Sequence, residues 1–135
     1  MRVVIDSNVL MSGIFFGGVP GQIVEAWRNG RVSLVLSPSI FDEYSRVSEE
    51  LEARYGNLGL SSILTVLIGN AEVIDAPDLN PGVARDPDDD KFLACALAAG
   101  VSVIVSGDLD LRSLGTWREI RILSPREYVD EHLPA

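Results

Sequence analysis

The residues of this chain whose types and spacing could do chemistry are carboxylates. Asp6 ends the apolar run RVVI, Glu43 stands in SPSIFDEY, Asp90 closes RDPDDD, and Asp108 follows VIVSG. Brought together without a basic partner, such acids repel, each close pair costing about 4 kcal/mol at 4 Å for an effective dielectric near 20. A divalent cation removes that cost. Oxygen ligands with open coordination positions suit Mg²⁺ or Mn²⁺, and a chain with one cysteine and one histidine has no zinc-type ligand cluster. Hard cations held by acids at an open edge are equipment for phosphoryl chemistry, and hydrolysis of a phosphodiester follows from it.

Gathering these acids is the work of the surrounding elements, which are organised around RDPDDDKFLACALAAGVSVIVSGDLDL, residues 85–111. Asp86 before Pro87 reads as an N-cap followed by proline at the first helical position, with Asp88 and Asp89 in a first turn where the helix dipole favours acids. Phe92 to Ala99 is apolar on nearly every side and Gly100 closes it, so this helix is expected to lie buried against a sheet. Val101 to Val105 suits a central parallel strand. Upstream, Arg2–Ile5 and Val32–Leu36 read as strands. Residues 9–21, VLMSGIFFGGVPG, read as a glycine-punctuated loop leading into a short helix with Ile23, Val24 and Trp27 on one side. Ser37-Pro38 starts a helix carrying Phe41, Tyr44, Val47 and Leu51. Leu60–Ile68 suggests another helix and Glu72–Ile74 a strand. Leu111–Arg118 reads as a connection, Ile120–Leu123 as a last strand, and Ser124-Pro125-Arg126-Glu127 as a capping box for a final helix.

This alternation predicts one α/β domain over residues 1–135, a three-layer arrangement with a parallel central sheet of about five strands and helices on both faces. In such a sheet every strand's C-terminal end and the following helix's N-terminus share one edge. Asp6, Glu43, Asp90 and Asp108 all fall on it.

Composition bounds the function. With 135 residues and 47% hydrophobic content the chain can build a substantial core. Neither a membrane-length apolar run nor a signal-peptide pattern is present, so a cytoplasmic protein without membrane contact is expected. Cys95, within the apolar helix, reads as a packed thiol, and His132 as a surface residue. A formal net charge of −9 argues against nucleic-acid binding by a basic face alone; Arg28, Arg31, Arg46, Arg85, Lys91 and Arg112 are the cations available to line an approach. Gly13, Gly17 and Gly18 lack dinucleotide-fingerprint spacing. A receiver-type phosphoacceptor needs a lysine from a late strand, and Lys91 is the sole lysine; a haloacid-type phosphatase needs an aspartate where Asn8 stands.

VVIDSNVL, PSIFDEY, DDDKFLACALAAG and VIVSGDLDL together resemble the four acidic motifs of PIN-domain nucleases, over almost the whole chain and in the family's order. The resemblance implies a metal-dependent ribonuclease, similar to the toxins of VapBC-type toxin–antitoxin pairs. It implies Asp6, Glu43, Asp90 and Asp108 as catalytic, metal-binding acids, with Ser7, Asn8 and Ser106 supporting them by hydrogen bonds; Asp110, two residues after Asp108, is placed to reach a second ion through water. Asp90 is chosen over its neighbours because the family places its acid directly before the apolar helix positions. The partners implied are an RNA substrate, a small antitoxin protein and a second copy in a homodimer, for which Met11–Val19 and Leu60–Ile68 offer apolar contact surfaces. A scaffold acting by binding a protein partner or nucleic acid is the competing reading.

The same residues have structural readings. Asp6 would cap a turn, Asp110 would open the turn after the strand, Glu43 would serve a helix start, and Ser7 and Asn8 would satisfy backbone groups while orienting Asp6. Asp86, Asp88 and Asp89 read as cap and dipole residues, with an outer ion contact open to each.

Overall fold

The computed structural model describes residues 1–134. Its sheet has six strands: β1 (Arg2–Ile5), β2 (Ser33–Leu36), β3 (Glu72–Val73), β4 (Val103–Val105), β5 (Thr116–Trp117) and β6 (Ile120–Leu123). They lie in the order β3-β2-β1-β4-β6-β5, all parallel except β5, which pairs antiparallel with β6. The helices are α1 (Ser7–Phe15), α2 (Gly18–Arg28), α3 (Pro38–Tyr55), α4 (Leu60–Asn70), α5 (Asp90–Ala99), α6 (Leu109–Arg112) and α7 (Pro125–His132). This is the three-layer α/β arrangement expected from the alternation, with one more strand than anticipated. Strand β5 escaped the reading because a two-residue antiparallel edge strand leaves no periodicity to find.

The central strands β1 and β4 are buried in the core, and Val3, Val4, Ile104 and Val105 are fully buried. Helix α5 packs directly against β1, β2 and β4. Register carries this core to one edge. Asp6 N–H donates to the Val105 carbonyl and Ser106 N–H to the Leu123 carbonyl, both at 2.9 Å, so the residues after β1 and β4 are held by the ladder itself.

One local expectation is corrected. Residues 9–21 are not a loop: α1 begins directly after Asp6, and α2 follows it at about 90°. Phenylalanines and glycines hid the helix, yet Gly13 is what lets the pair cross. A Cβ there would stand 2.6 Å from Val24 Cγ2 and 2.7 Å from the Pro20 carbonyl oxygen. The Asp86-Pro87 start is as expected, with Asp88 and Asp89 in the first turn, but that turn is tighter than an α-helix. The Asp86 carboxylate accepts from Asp88 N–H at 3.0 Å, capping a separate 3₁₀ turn, Pro87–Asp89, before α5 begins at Asp90. Three residues per turn instead of 3.6 separate successive side chains by about 120°, which splays Asp88, Asp89 and Asp90 in different directions. Among the described residues, no single helix is long and apolar enough to cross a membrane.

Candidate functional site

Asp6 is the centre of the site and is only 6% exposed. It caps α1, accepting from Asn8 N–H at 2.9 Å through Oδ1, while Oδ2 accepts from Ser106 Oγ at 2.6 Å. Asn8 therefore supports Asp6 through its backbone. Ser106, fully buried, also accepts from Asp108 N–H at 3.0 Å and so ties the ends of β1 and β4 together. Burial pushes the Asp6 pKa up; Ser106 and Asn8 act against that rise, and the nearby charges of Glu43 and Asp108 add to it. Asp108 caps α6 by accepting from Asp110 N–H at 2.9 Å.

Asp89 reaches this pair. Burial, a side-chain hydrogen-bonding contact with Asp108, and the charges of Asp108, Asp86 and Asp6 push its pKa up to about 7. Its Oδ2 is buried with no hydrogen-bond partner, the one such side-chain atom among the described residues. A buried carboxylate oxygen without a donor is costly unless a proton or cation meets it.

Glu43, on the second turn of α3, is 10% exposed and has both oxygens engaged. Ser7 Oγ donates to Oε2, and Lys91 Nζ donates to Oε1 at 2.9 Å. The same ammonium reaches Asp88 Oδ1 at 3.2 Å, and the Arg46 guanidinium lies 3.5 Å from Glu43 and 3.6 Å from Asp88. Burial works against the Lys91 charge, but its contacts with Glu43 and Asp88 outweigh it and raise the pKa. Lys91 in turn holds the Asp88 carboxyl below its usual range. Beneath them the buried Tyr44 hydroxyl donates to the Ile5 carbonyl, joining α3 to the residue before Asp6.

Asp90 is placed differently from the other predicted acids. Its Oδ1 accepts from Val83 N–H at 3.0 Å and Ala84 N–H at 2.7 Å. The preceding loop wraps it so closely that a Cβ on Gly82 would stand 2.5 Å from Oδ2. It lines a cleft of about 350 Å³ with Ser39, Asp78, Asp88 and Lys91. The structure thus brings together Asp6, Glu43 and Asp108, adds Asp89, and gives Asp90 to the 82–84 loop. Asp110 forms an outward pair with Arg85 at 3.2 Å. Of the expected cations, Arg46, Arg85 and Lys91 lie at this edge. Arg28 instead lines a groove of about 1170 Å³ between α2 and α4, which contains none of these acids. The Arg31 carbonyl receives the chain's amino group at the opposite sheet edge.

Sequence reasoning read Asp89 as a dipole residue and did not pair Lys91 with Glu43. The run DDDK contained both signals, but which acid meets which partner is settled by contacts with the 82–84 loop, Asp108 and α3. Among the described residues, no three carboxylate, imidazole or thiolate side chains already converge on one point as ion ligands. The donor chemistry nevertheless suits a hard cation: oxygens only, an orphaned one on Asp89, and two acids with raised pKa values.

A family model described as PIN domain matches residues 2–110. The uncharacterized protein MJ1680 of Methanocaldococcus jannaschii is 30% identical over 142 residues, spanning 97% of this chain and 91% of that protein. Among solved structures, VapBC2 from Rickettsia felis bound to a DNA fragment from its promoter superposes with a TM-score of 0.62 at 12% identity, covering 92% of this chain and 98% of that chain. That likeness shows the fold.

Proposed function

This chain belongs to the PIN-domain family, and on that premise we propose that it is a Mg²⁺- or Mn²⁺-dependent endoribonuclease, the toxin of a toxin–antitoxin pair. The observation that carries the reading is the unpartnered, buried Asp89 Oδ2 beside Asp108 and Asp6. Asp6, Asp89 and Asp108 would hold the ion. When bound, it supplies positive charge that offsets the carboxylates and polarises a phosphodiester toward hydrolysis.

The chain's own residues prepare that chemistry. Ser106 and the Asn8 amide fix the Asp6 carboxylate at the sheet edge, and Ser106 holds the Asp108 backbone at the same height. Glu43 joins the cluster through Ser7 and keeps Lys91 beside it. Asp90 positions the loop before α5. An RNA strand approaching this edge meets Arg46 and Arg85, which are 57% and 79% exposed, so the local charge is less negative than the total of −9 suggests. Structural likeness to a protein solved in a VapBC complex supports a small antitoxin as partner.

The test is calorimetric titration of Mn²⁺ into the wild type, Asp89→Asn and Asp90→Asn, followed by cleavage assays on single-stranded and hairpin RNA with DNA as control. Binding weakened at least tenfold by Asp89→Asn and little changed by Asp90→Asn is expected. Equal binding to all three proteins would remove Asp89 from the site, and Mn²⁺-independent RNA cleavage would sink the metal mechanism.

A further inference from the structure

We propose that the site takes a single divalent ion, because Lys91 occupies, as a fixed cation, the place beside Glu43 that a second ion would need. The inference rests on the metal-binding reading above and adds to it the number of ions and the role of Glu43.

Three observations carry it. Both Glu43 oxygens are engaged, Oε1 with Lys91 Nζ at 2.9 Å and Oε2 with the Ser7 hydroxyl. The ammonium is itself pinned by Asp88 at 3.2 Å and is 15% exposed, so it is a built part of the site and not a free surface lysine. Arg46 stands 3.5 Å from Glu43 and 3.6 Å from Asp88, so these two acids face two bases. A divalent ion entering here would have to displace or repel two cations, and little uncompensated negative charge would reward it. Among the described residues, Asp6, Asp89 and Asp108 form no ion pair with a lysine or arginine, unlike Glu43 and Asp88. Lys91 is thus a positioning residue: it holds Glu43 toward Ser7 and confines divalent binding to the other half.

Equilibrium dialysis against Mn²⁺, counting ions bound per chain, tests this without any nuclease assay. The wild type is expected to bind one ion. Lys91→Met exposes Glu43 and Asp88 and is expected to bind a second, weaker ion, which the double variant Lys91→Met/Glu43→Gln loses. Lys91→Arg, which keeps the charge, stays at one. Glu43→Gln alone should bind its one ion within threefold of wild-type affinity, a result that does not depend on the folding of the methionine variant. Two ions per wild-type chain, or Lys91→Met binding one ion like the wild type, would overturn the proposal. A wild type that binds no Mn²⁺ at millimolar concentration removes the underlying metal reading and this inference with it, and so is distinguishable from a count of two.

Discussion

Asp6, Asp89 and Asp108 lie close together with hydroxyl and amide donors around them and, among the described residues, no paired cation, whereas Glu43 and Asp88, across the same sheet edge, are bracketed by Lys91 and Arg46. The residue types are the same and the outcomes are opposite. Burial and neighbouring charge raise the Asp6 and Asp89 pKa values, while contact with Lys91 lowers that of Asp88. The comparison teaches that an acidic cluster is not one electrostatic object. Where a fold supplies its own cation the acids become structural, and where it withholds one they are left needing a proton or a metal ion.

The strongest way to break this contrast is to remove an acid from the uncompensated half. Asp108→Asn keeps an oxygen to accept from Asp110 N–H and lowers RNA cleavage by about 10³-fold, as loss of several kcal/mol of charge stabilisation requires. Its melting temperature in EDTA stays equal or rises, since a repulsion is relieved. Lost activity accompanied by a lower melting point would point to a folding role instead.

Next comes the pair Asp89→Asn and Asp90→Ala. The first weakens Mn²⁺ binding by at least tenfold without loss of stability. The second frees Val83 and Ala84 N–H groups and costs about 1–2 kcal/mol of stability in urea unfolding, with metal affinity nearly unchanged. The reverse pattern would exchange the roles assigned to the two residues.

Acid-dependent stability sharpens the same division. Asp89 keeps its proton to about pH 7 when folded but only to about its ordinary value of 3.8 when unfolded. Between these limits the native state binds the extra proton, so metal-free stability falls as pH rises from about 4 to 7 and then levels off. Asp6 acts in the same direction. Asp88, with its lowered pKa, contributes stability above 3.8 that is lost only at lower pH. Thermal melts in EDTA across this window should therefore slope downward, and the slope should shrink in Asp89→Asn.

Smaller effects are expected away from the ion. Tyr44→Phe removes a buried hydrogen bond to the Ile5 carbonyl and costs about 1 kcal/mol. Asp110→Ala breaks only the exposed pair with Arg85 and changes stability by less than about 0.5 kcal/mol. A large loss of Mn²⁺ affinity in the latter would extend the uncompensated half outward.

Much of this was legible in the residues themselves. The β-branched runs before Asp6 and Asp108, the Ser37-Pro38 start and the apolar helix after Asp90 dictate strands and helices locally, and parallel topology then puts their acids on one edge. Helix α1 was hidden because its stability comes from α2 packed over Gly13, a contact that no local periodicity contains. What only the tertiary structure decided is the direction of each carboxylate and its counter-charge. At the junction of the 3₁₀ turn and α5, Asp89 meets Asp108 while Asp90 meets the 82–84 loop. The packing of α5 beside α3 brings Lys91 to Glu43 across 48 positions of chain. Chain order determines which edge a charge occupies, because strand direction is set by connectivity; whether that charge is neutralised depends on ångström distances between elements remote in sequence.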